Sequence, residues 1–111
     1  MTERYLDNVE DQEQTFTIRN ASFRFRFFVF RNLMYMDINM RGEPIVRGKR
    51  VMANRWLIPE YYGEGIGNIR FETYKADSED YVWYKDFNTK FRLVSYTAAE
   101  IAEMQEEESQ K

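Results

Sequence analysis

Four acidic residues, Asp77, Glu79, Asp80 and Asp86, crowd one short stretch of this 111-residue chain. Grouped carboxylates are the residue type that holds hard cations or exchanges protons. Their spacing is not that of a calcium loop, and with no His in the chain no transition-metal set can be completed. A solvated loop is the reading this pattern supports. The lack of His and Cys also removes the commonest general base, the thiolate nucleophile and the disulfide. Ser22, Ser78, Ser95 and Ser109 have no activating neighbour. Gly63-Glu64-Gly65-Ile66-Gly67 is followed neither by the Lys-Ser/Thr of a phosphate loop nor by a strand–helix dinucleotide pattern, so it reads as a loop. No metal, cofactor or enzymatic activity is expected.

The remaining chemistry lies in Ser22–Phe30, SFRFRFFVF, where basic and aromatic residues alternate. Strand periodicity places Arg24, Arg26, Phe28 and Phe30 on one face and Phe23, Phe25, Phe27 and Val29 on the other. Arginines beside aromatics suit a single-stranded nucleic-acid surface, on which bases stack, and an OB-like barrel would present it. The acidic pI of about 5.1 opposes that use. An exposed Phe pair instead makes an apolar patch of the kind that meets other protein, and Arg stems cover apolar surface around it. The pair could equally lie in the wall of a closed barrel beneath a C-terminal helix.

The elements that must position these residues are mostly strands. Residues 15–20 alternate, with Phe16 and Ile18 on one face, and Asn20-Ala21 is the expected turn. Residues 22–30 form the second strand, and Arg31-Asn32 is a two-residue hairpin connection to 33–40. There Met34, Met36, Ile38 and Met40 form the core face. Residues 41–44 (RGEP) are a turn, and 45–48 a short strand. Val51, Met52, Arg55 and Trp56 fit a helical turn or two, stopped by Pro59. Strands follow at 68–74 and 90–96, separated by a polar loop (75–80) and an aromatic loop that packs (81–87). Thr97 and Glu100 form a capping box that opens a helix with Ile101 and Met104 as a thin apolar stripe, fraying beyond Met104. The fold class is all-β, a small barrel or sandwich of about six strands with a short C-terminal helix.

Charge divides the chain into three. Residues 1–14 carry five acids and Arg4, and residues 98–111 carry five acids and Lys111, so each end is −4. The total is −3, which leaves +5 for the body. The expected organisation is an acidic arm (1–14), flexible to about residue 13, a β domain (15–97) and an acidic helix or tail (98–111). No run of about twenty apolar residues spans a membrane. The acidic N-terminus does not resemble a signal peptide, so synthesis in the cytoplasm is expected.

The order of elements resembles the small baseplate plug proteins of contractile-tailed bacteriophages. The motifs that carry the likeness are LMYMDI, then Gly42-x-Pro44-Ile45 and Gly48, then RWLIPEYY, GNIRFETY, DYVWYKDF and FRLVSY, covering residues 15–97. The acidic ends and the Gly-free Arg31-Asn32 hairpin depart from that pattern. The resemblance implies a non-enzymatic virion component, a plug or hub adaptor at the tube–spike junction near the end of the tape-measure protein. It implies contacts with hub, tube, spike and tape measure and with copies of itself, and none with nucleic acid. Candidate contact residues are Arg24, Arg26, Phe28 and Phe30 on the second strand, Tyr61 and Tyr62 before the Gly-rich loop, Trp83 and Tyr84 in the aromatic loop, and Ile101 and Met104 on the helix. The basic body of one copy is expected to meet the acidic ends of the next.

Overall fold

Three Arg-led dipeptides, Arg19-Asn20, Arg31-Asn32 and Arg41-Gly42, place both their residues at positive φ. That is the backbone two-residue hairpins of the primed type require, because it matches the twist of the flanking strands. A computed structural model describes residues 1–74 and 81–109 of the chain. Seven strands are present among them: β1 (Thr2–Arg4), β2 (Asp11–Ile18), β3 (Ala21–Phe30), β4 (Leu33–Met40), β5 (Glu43–Arg50), β6 (Gly67–Thr73) and β7 (Phe91–Thr97). A one-turn helix, α1 (Glu60–Gly63), precedes β6, and α2 (Ala98–Ser109) follows β7. The three tight turns join an antiparallel sheet of order β2-β3-β4-β5, and a smaller antiparallel sheet has order β1-β7-β6. The two sheets share one core and form a sandwich, not a closed barrel.

Strand alternation decides the core. Phe16, Ile18, Phe23, Phe25, Phe27, Met34, Met36 and Ile38 point inward from the larger sheet, against Ile69, Phe71, Phe91 and Leu93 of the smaller. Phe27 meets Phe71 edge-on at 5.5 Å between ring centroids, and Phe71 stacks on Phe87 at 5.6 Å. The expected Phe and Met core faces are therefore the buried ones, except that Val29 and Met40 near the sheet ends are only partly covered.

Several boundaries differ from expectation. The first turn is Arg19-Asn20, one residue earlier than Asn20-Ala21. Pro44 belongs to β5, opposite Asn39, and the turn is made by Arg41-Gly42 alone. Proline is tolerated there because β5 is an edge strand. The helical turn expected at Val51–Trp56 is not helical: Met52 and Ala53 make isolated bridges and the chain turns at Asn54, whose φ is +60°. It runs from the β5 edge to β6 through Val51 N–H to Met34 O (3.1 Å), Asn54 N–H to Phe71 O (2.6 Å) and Leu57 N–H to Ile69 O (2.9 Å). These bonds to both sheets outcompete local helical bonding, and the helical turn instead follows Pro59, whose fixed φ suits a helix start. The Gly-rich segment is short as a loop, since Gly63 ends α1 and Gly67 opens β6, both buried.

The segment read as a flexible arm is built into the fold. β1 pairs with β7, Leu6 is buried, and β2 begins at Asp11. Side-chain amides hold the stretch between: Gln12 exchanges two hydrogen bonds with the backbone of Asp7, Asn88 donates to Leu6 O at 2.7 Å, and Asn8 donates to Tyr84 O and Phe87 O. Arg4 stitches the sheets, donating to Ser95 Oγ and Thr17 O with its guanidinium over Phe16. The capping box forms as read, with Thr97 N–H on Glu100 Oε1 (2.9 Å) and Glu100 N–H on Thr97 Oγ1 (3.3 Å). The N-terminal ammonium pairs with the other Glu100 oxygen. The helix continues past Met104 to Ser109. The polar loop expected at 75–80, with Asp77, Glu79 and Asp80, lies outside the described residues. Asp86 sits in a 3₁₀ turn (Tyr84–Asp86), where its carbonyl accepts bonds from Thr89 and Lys90.

Candidate interaction surface

The outer face of the larger sheet gathers Arg24, Arg26, Phe28 and Phe30 as alternation requires, and register decides their neighbours. Arg26 lies between Glu13 on β2 and Asp37 on β4, and Arg24 between Thr15 and Asn39. Arg26 forks onto Asp11, with Nε to Oδ1 at 3.1 Å and Nη2 to Oδ2 at 2.7 Å. That hydrogen bonding holds the Asp11 carboxyl below its ordinary range and raises the guanidinium. Both groups are open to water, so the pair orders the face more than it stabilises the fold. Asp37 accepts the Gly48 N–H at 2.7 Å and lies 3.7 Å from Arg47. Arg24 is exposed and makes no ion pair among the described residues. The result is a polar depression lined by Glu13, Arg24, Arg26, Asp37, Asn39 and Arg47.

Toward the Arg31-Asn32 turn the same face becomes aromatic. Phe28 stacks on Tyr35 across the strands at 6.0 Å, and Phe30 meets Tyr35 edge-on at 6.4 Å. Guanidinium groups lie over this platform: Arg26 over Phe28 (4.7 Å), Arg31 over Phe30 (5.2 Å), and Arg50 between Tyr35 (5.9 Å) and Tyr81 (4.3 Å). Phe30 remains 56% exposed, and Leu33 opposite it is exposed too. Leu33, Tyr35, Arg31 and Arg50 were not among the candidates read from the sequence. The signal for the first two was present, since a two-residue turn at 31–32 forces the pairs Phe30–Leu33 and Phe28–Tyr35. α2 does not cover this face; it packs on β6 and β7.

The other candidates fall elsewhere. Tyr61 is 82% exposed on α1 and meets Tyr62 edge-on, while Tyr62 packs against the core. Ile101 and Met104 are half-buried on α2, and Ile101 lines a groove between the two helices with Trp56, Ile58, Gly65 and Ala98. Trp83 and Tyr84 pack on each other at 4.9 Å and against the core, beside the N-terminal segment. The candidates thus form one coherent face and three smaller groups.

A buried ionic knot braces the smaller sheet. Glu72 accepts from Arg70 Nε (2.8 Å), Arg92 Nη2 (3.1 Å) and the Tyr96 hydroxyl. Burial by itself would raise the Glu72 carboxyl, but the Tyr96 and Arg70 hydrogen bonds and the two guanidinium charges outweigh it and hold it below its usual value. Burial, and then the bond to Glu72, raise the Tyr96 phenol. Arg70 also stacks on Trp56 at 4.5 Å, tying the crossover to β6. The knot ties β6 to β7 through side chains as well as the backbone ladder.

The outer face sets its cations beside carboxylates. Carboxylates of Asp11 and Asp37 stand beside Arg26 and Arg47 where a nucleic-acid phosphate would need to lie, and the closed barrel that would frame such a groove is not formed. No curated protein matches the chain. A family model described as "Cyanophage baseplate Pam3 plug gp18" matches residues 1–98, ending at the first residue of α2. The chain therefore belongs to this family of phage baseplate plugs, a structural component of the tail baseplate of the virion.

Proposed function

We propose that the protein is a non-enzymatic adaptor that plugs the hub region at the tube–spike junction, near the end of the tape-measure protein. The observation that carries this reading is the outer face of β2–β5, with its arginine-capped aromatic platform, in a chain whose first 98 residues match a plug family. Rings already stacked and guanidiniums already oriented lose little freedom when a partner covers them. Aromatic and arginine side chains are also the types enriched at the energetic centres of interfaces. Arg24, Arg26, Phe28 and Phe30 make the principal contact, with Tyr61, Tyr62, Trp83, Tyr84, Ile101 and Met104 at secondary ones. The partners are hub, tube, spike or tape-measure protein and neighbouring copies of the chain.

The test is a photo-reactive phenylalanine analogue at position 30 in assembled particles, read by mass spectrometry and by the position of the chain in a side-chain-resolution particle map. Cross-links to tube, hub, spike or tape measure and an axial position are expected. A peripheral position, with cross-links confined to proteins outside the hub region, overturns the assignment.

A further inference from the structure

A groove beside the smaller sheet takes no part in the outer face of β2–β5. Its floor is Trp56 and Ile58, and its walls are α1 and the start of α2. On α2 the lining positions Ala98, Ile101, Ala102 and Gln105 form one helical stripe. From Ala98 to Gln105 that stripe is about 10 Å long, at about 1.5 Å per residue. The groove has a volume of about 360 Å³. A cavity of about 150 Å³ admits one benzene ring, so there is room for two side chains of that size. Charge around the groove has one sign. Glu60 and Glu64 are the charged residues that line it, both are exposed, and neither makes an ion pair among the described residues. Arg55, beside Trp56 in sequence, pairs with neither. α2 adds five Glu and no base over residues 98–109. Of these, Glu103, Glu107 and Glu108 are exposed and also without an ion pair among the described residues. The outer face differs, since there Arg26 and Arg47 already have carboxylate partners.

We infer that this groove receives a basic segment of a different baseplate protein. Two large apolar side chains of that segment seat between α1 and α2, and a flanking lysine or arginine reaches Glu60 and Glu64. The inference rests on the assembly reading above for its setting. Charge selects the occupant. Carboxylates with only water as partner attract a cation, and the attraction grows as the apolar floor expels that water. Gly65, whose missing Cβ borders open space, leaves the mouth clear. The chain's own exposed apolar side chains do not supply such a segment. Met1 is tied to Glu100, Tyr5 and Tyr74 donate to Glu3, Val9 precedes Glu10 and Tyr61 follows Glu60. Seating any of them would bring a carboxylate against Glu60 and Glu64, which is repulsive. Phe30, Leu33 and Tyr81 have Arg31 and Arg50 beside them, but they lie on the face assigned to the principal contact. The wall from Ile101 onward lies beyond the residues that the family model matches, so family membership does not imply this contact.

The experiment places a photo-reactive residue at Ala102, exposed on the groove wall, in assembled particles and sequences the peptide it captures. The expected capture is a segment of another protein that carries lysine or arginine beside large apolar residues and has a net positive charge. Glu60→Lys/Glu64→Lys should cut the yield per incorporated chain by about tenfold or more, because like charges then face each other. Cross-links from position 30 should be unchanged by it. Glu60→Gln/Glu64→Gln is a milder pair, expected to lower the yield with an unchanged circular dichroism spectrum, should the reversal variant fail to fold. Capture of an acidic or neutral segment, of a second copy of this chain or of nothing overturns the inference, as does a yield that neither pair lowers. If position 30 still reports hub-region neighbours on the tail axis, the assembly reading stands without it.

Discussion

Phe27→Ala tests the sandwich most directly. Phe27 is 0% exposed and lies where the two sheets meet, stacked on Phe25 at 5.8 Å and set edge-on to Phe71 (5.5 Å) and Phe87 (6.3 Å). Returning most of a buried phenyl ring to water costs about 2 kcal/mol. The cavity left between two sheets, neither of which can collapse without breaking its ladder, and the lost ring pairs add about 2 kcal/mol more. The total of about 4 kcal/mol is a large part of the roughly 5–15 kcal/mol that holds a domain folded. Urea unfolding followed by Trp56 and Trp83 fluorescence should show it, with a midpoint loss at unchanged slope. The melting temperature should fall by roughly 15–20 °C. Phe30→Ala is the control, because Phe30 is 56% exposed on the outer face and touches only Tyr35 and the Arg31 guanidinium among the ring contacts found. It should cost less than about 1 kcal/mol. If Phe27→Ala cost under about 1 kcal/mol, or if the two substitutions cost the same, the assignment of inner and outer faces would be wrong.

Gly67→Ala should destabilise by about 3 kcal/mol or prevent folding. Gly67 has a φ of +147°, and an added Cβ would collide with the Tyr96 carbonyl and crowd Ile18, so a loss below about 0.5 kcal/mol in the same unfolding assay refutes the close approach of β6 and β7. Glu72→Gln should cost about 2 kcal/mol at pH 7, because Arg70 and Arg92 lose their buried counter-charge. The Glu72 carboxyl titrates below its unfolded value, so its stabilisation is fully present above that value, near pH 4–5, and is lost as pH falls through the lowered folded one. A urea-midpoint profile from pH 7 to 3 should therefore be flatter at the acid end in Glu72→Gln, and identical profiles would remove Glu72 from acid unfolding. Thr97→Ala breaks one half of the capping box and should cost about 1 kcal/mol, seen as lost far-ultraviolet helix signal; an unchanged signal would mean that packing alone holds α2.

Local periodicity made the larger sheet legible. Within each strand between Phe16 and Met40 the inward positions are apolar and fall at every second residue (Phe16 and Ile18, then Phe23, Phe25 and Phe27, then Met34, Met36 and Ile38), so a one-residue slip would turn every side chain over. Hairpins at Arg31-Asn32 and at Gly42 follow from the turn residues, and the capping box from the Thr97–Glu100 spacing. The crossover defeats local pattern because Val51, Met52, Arg55 and Trp56 have helical spacing, while the partners that keep this stretch out of a helix, Met34, Ile69 and Phe71, are distant in sequence. Five acids in fourteen residues make the N-terminal stretch look like a solvated tail. The amides of Gln12, Asn8 and Asn88 and the pairing of β1 with β7 reveal it as structure.

The strand faces, the all-β class and the charge of each segment follow from local sequence, because these depend on neighbours one to four residues apart. Long-range contacts set that the strands close as a sandwich, that Tyr81 joins the Phe28–Phe30 face through Arg50, and that the acidic helix packs on the layer away from the larger sheet. Each of these depends on where the chain crosses from β5 to β6. That crossing is set by backbone bonds and apolar burial between residues far apart in the chain, which no local pattern records.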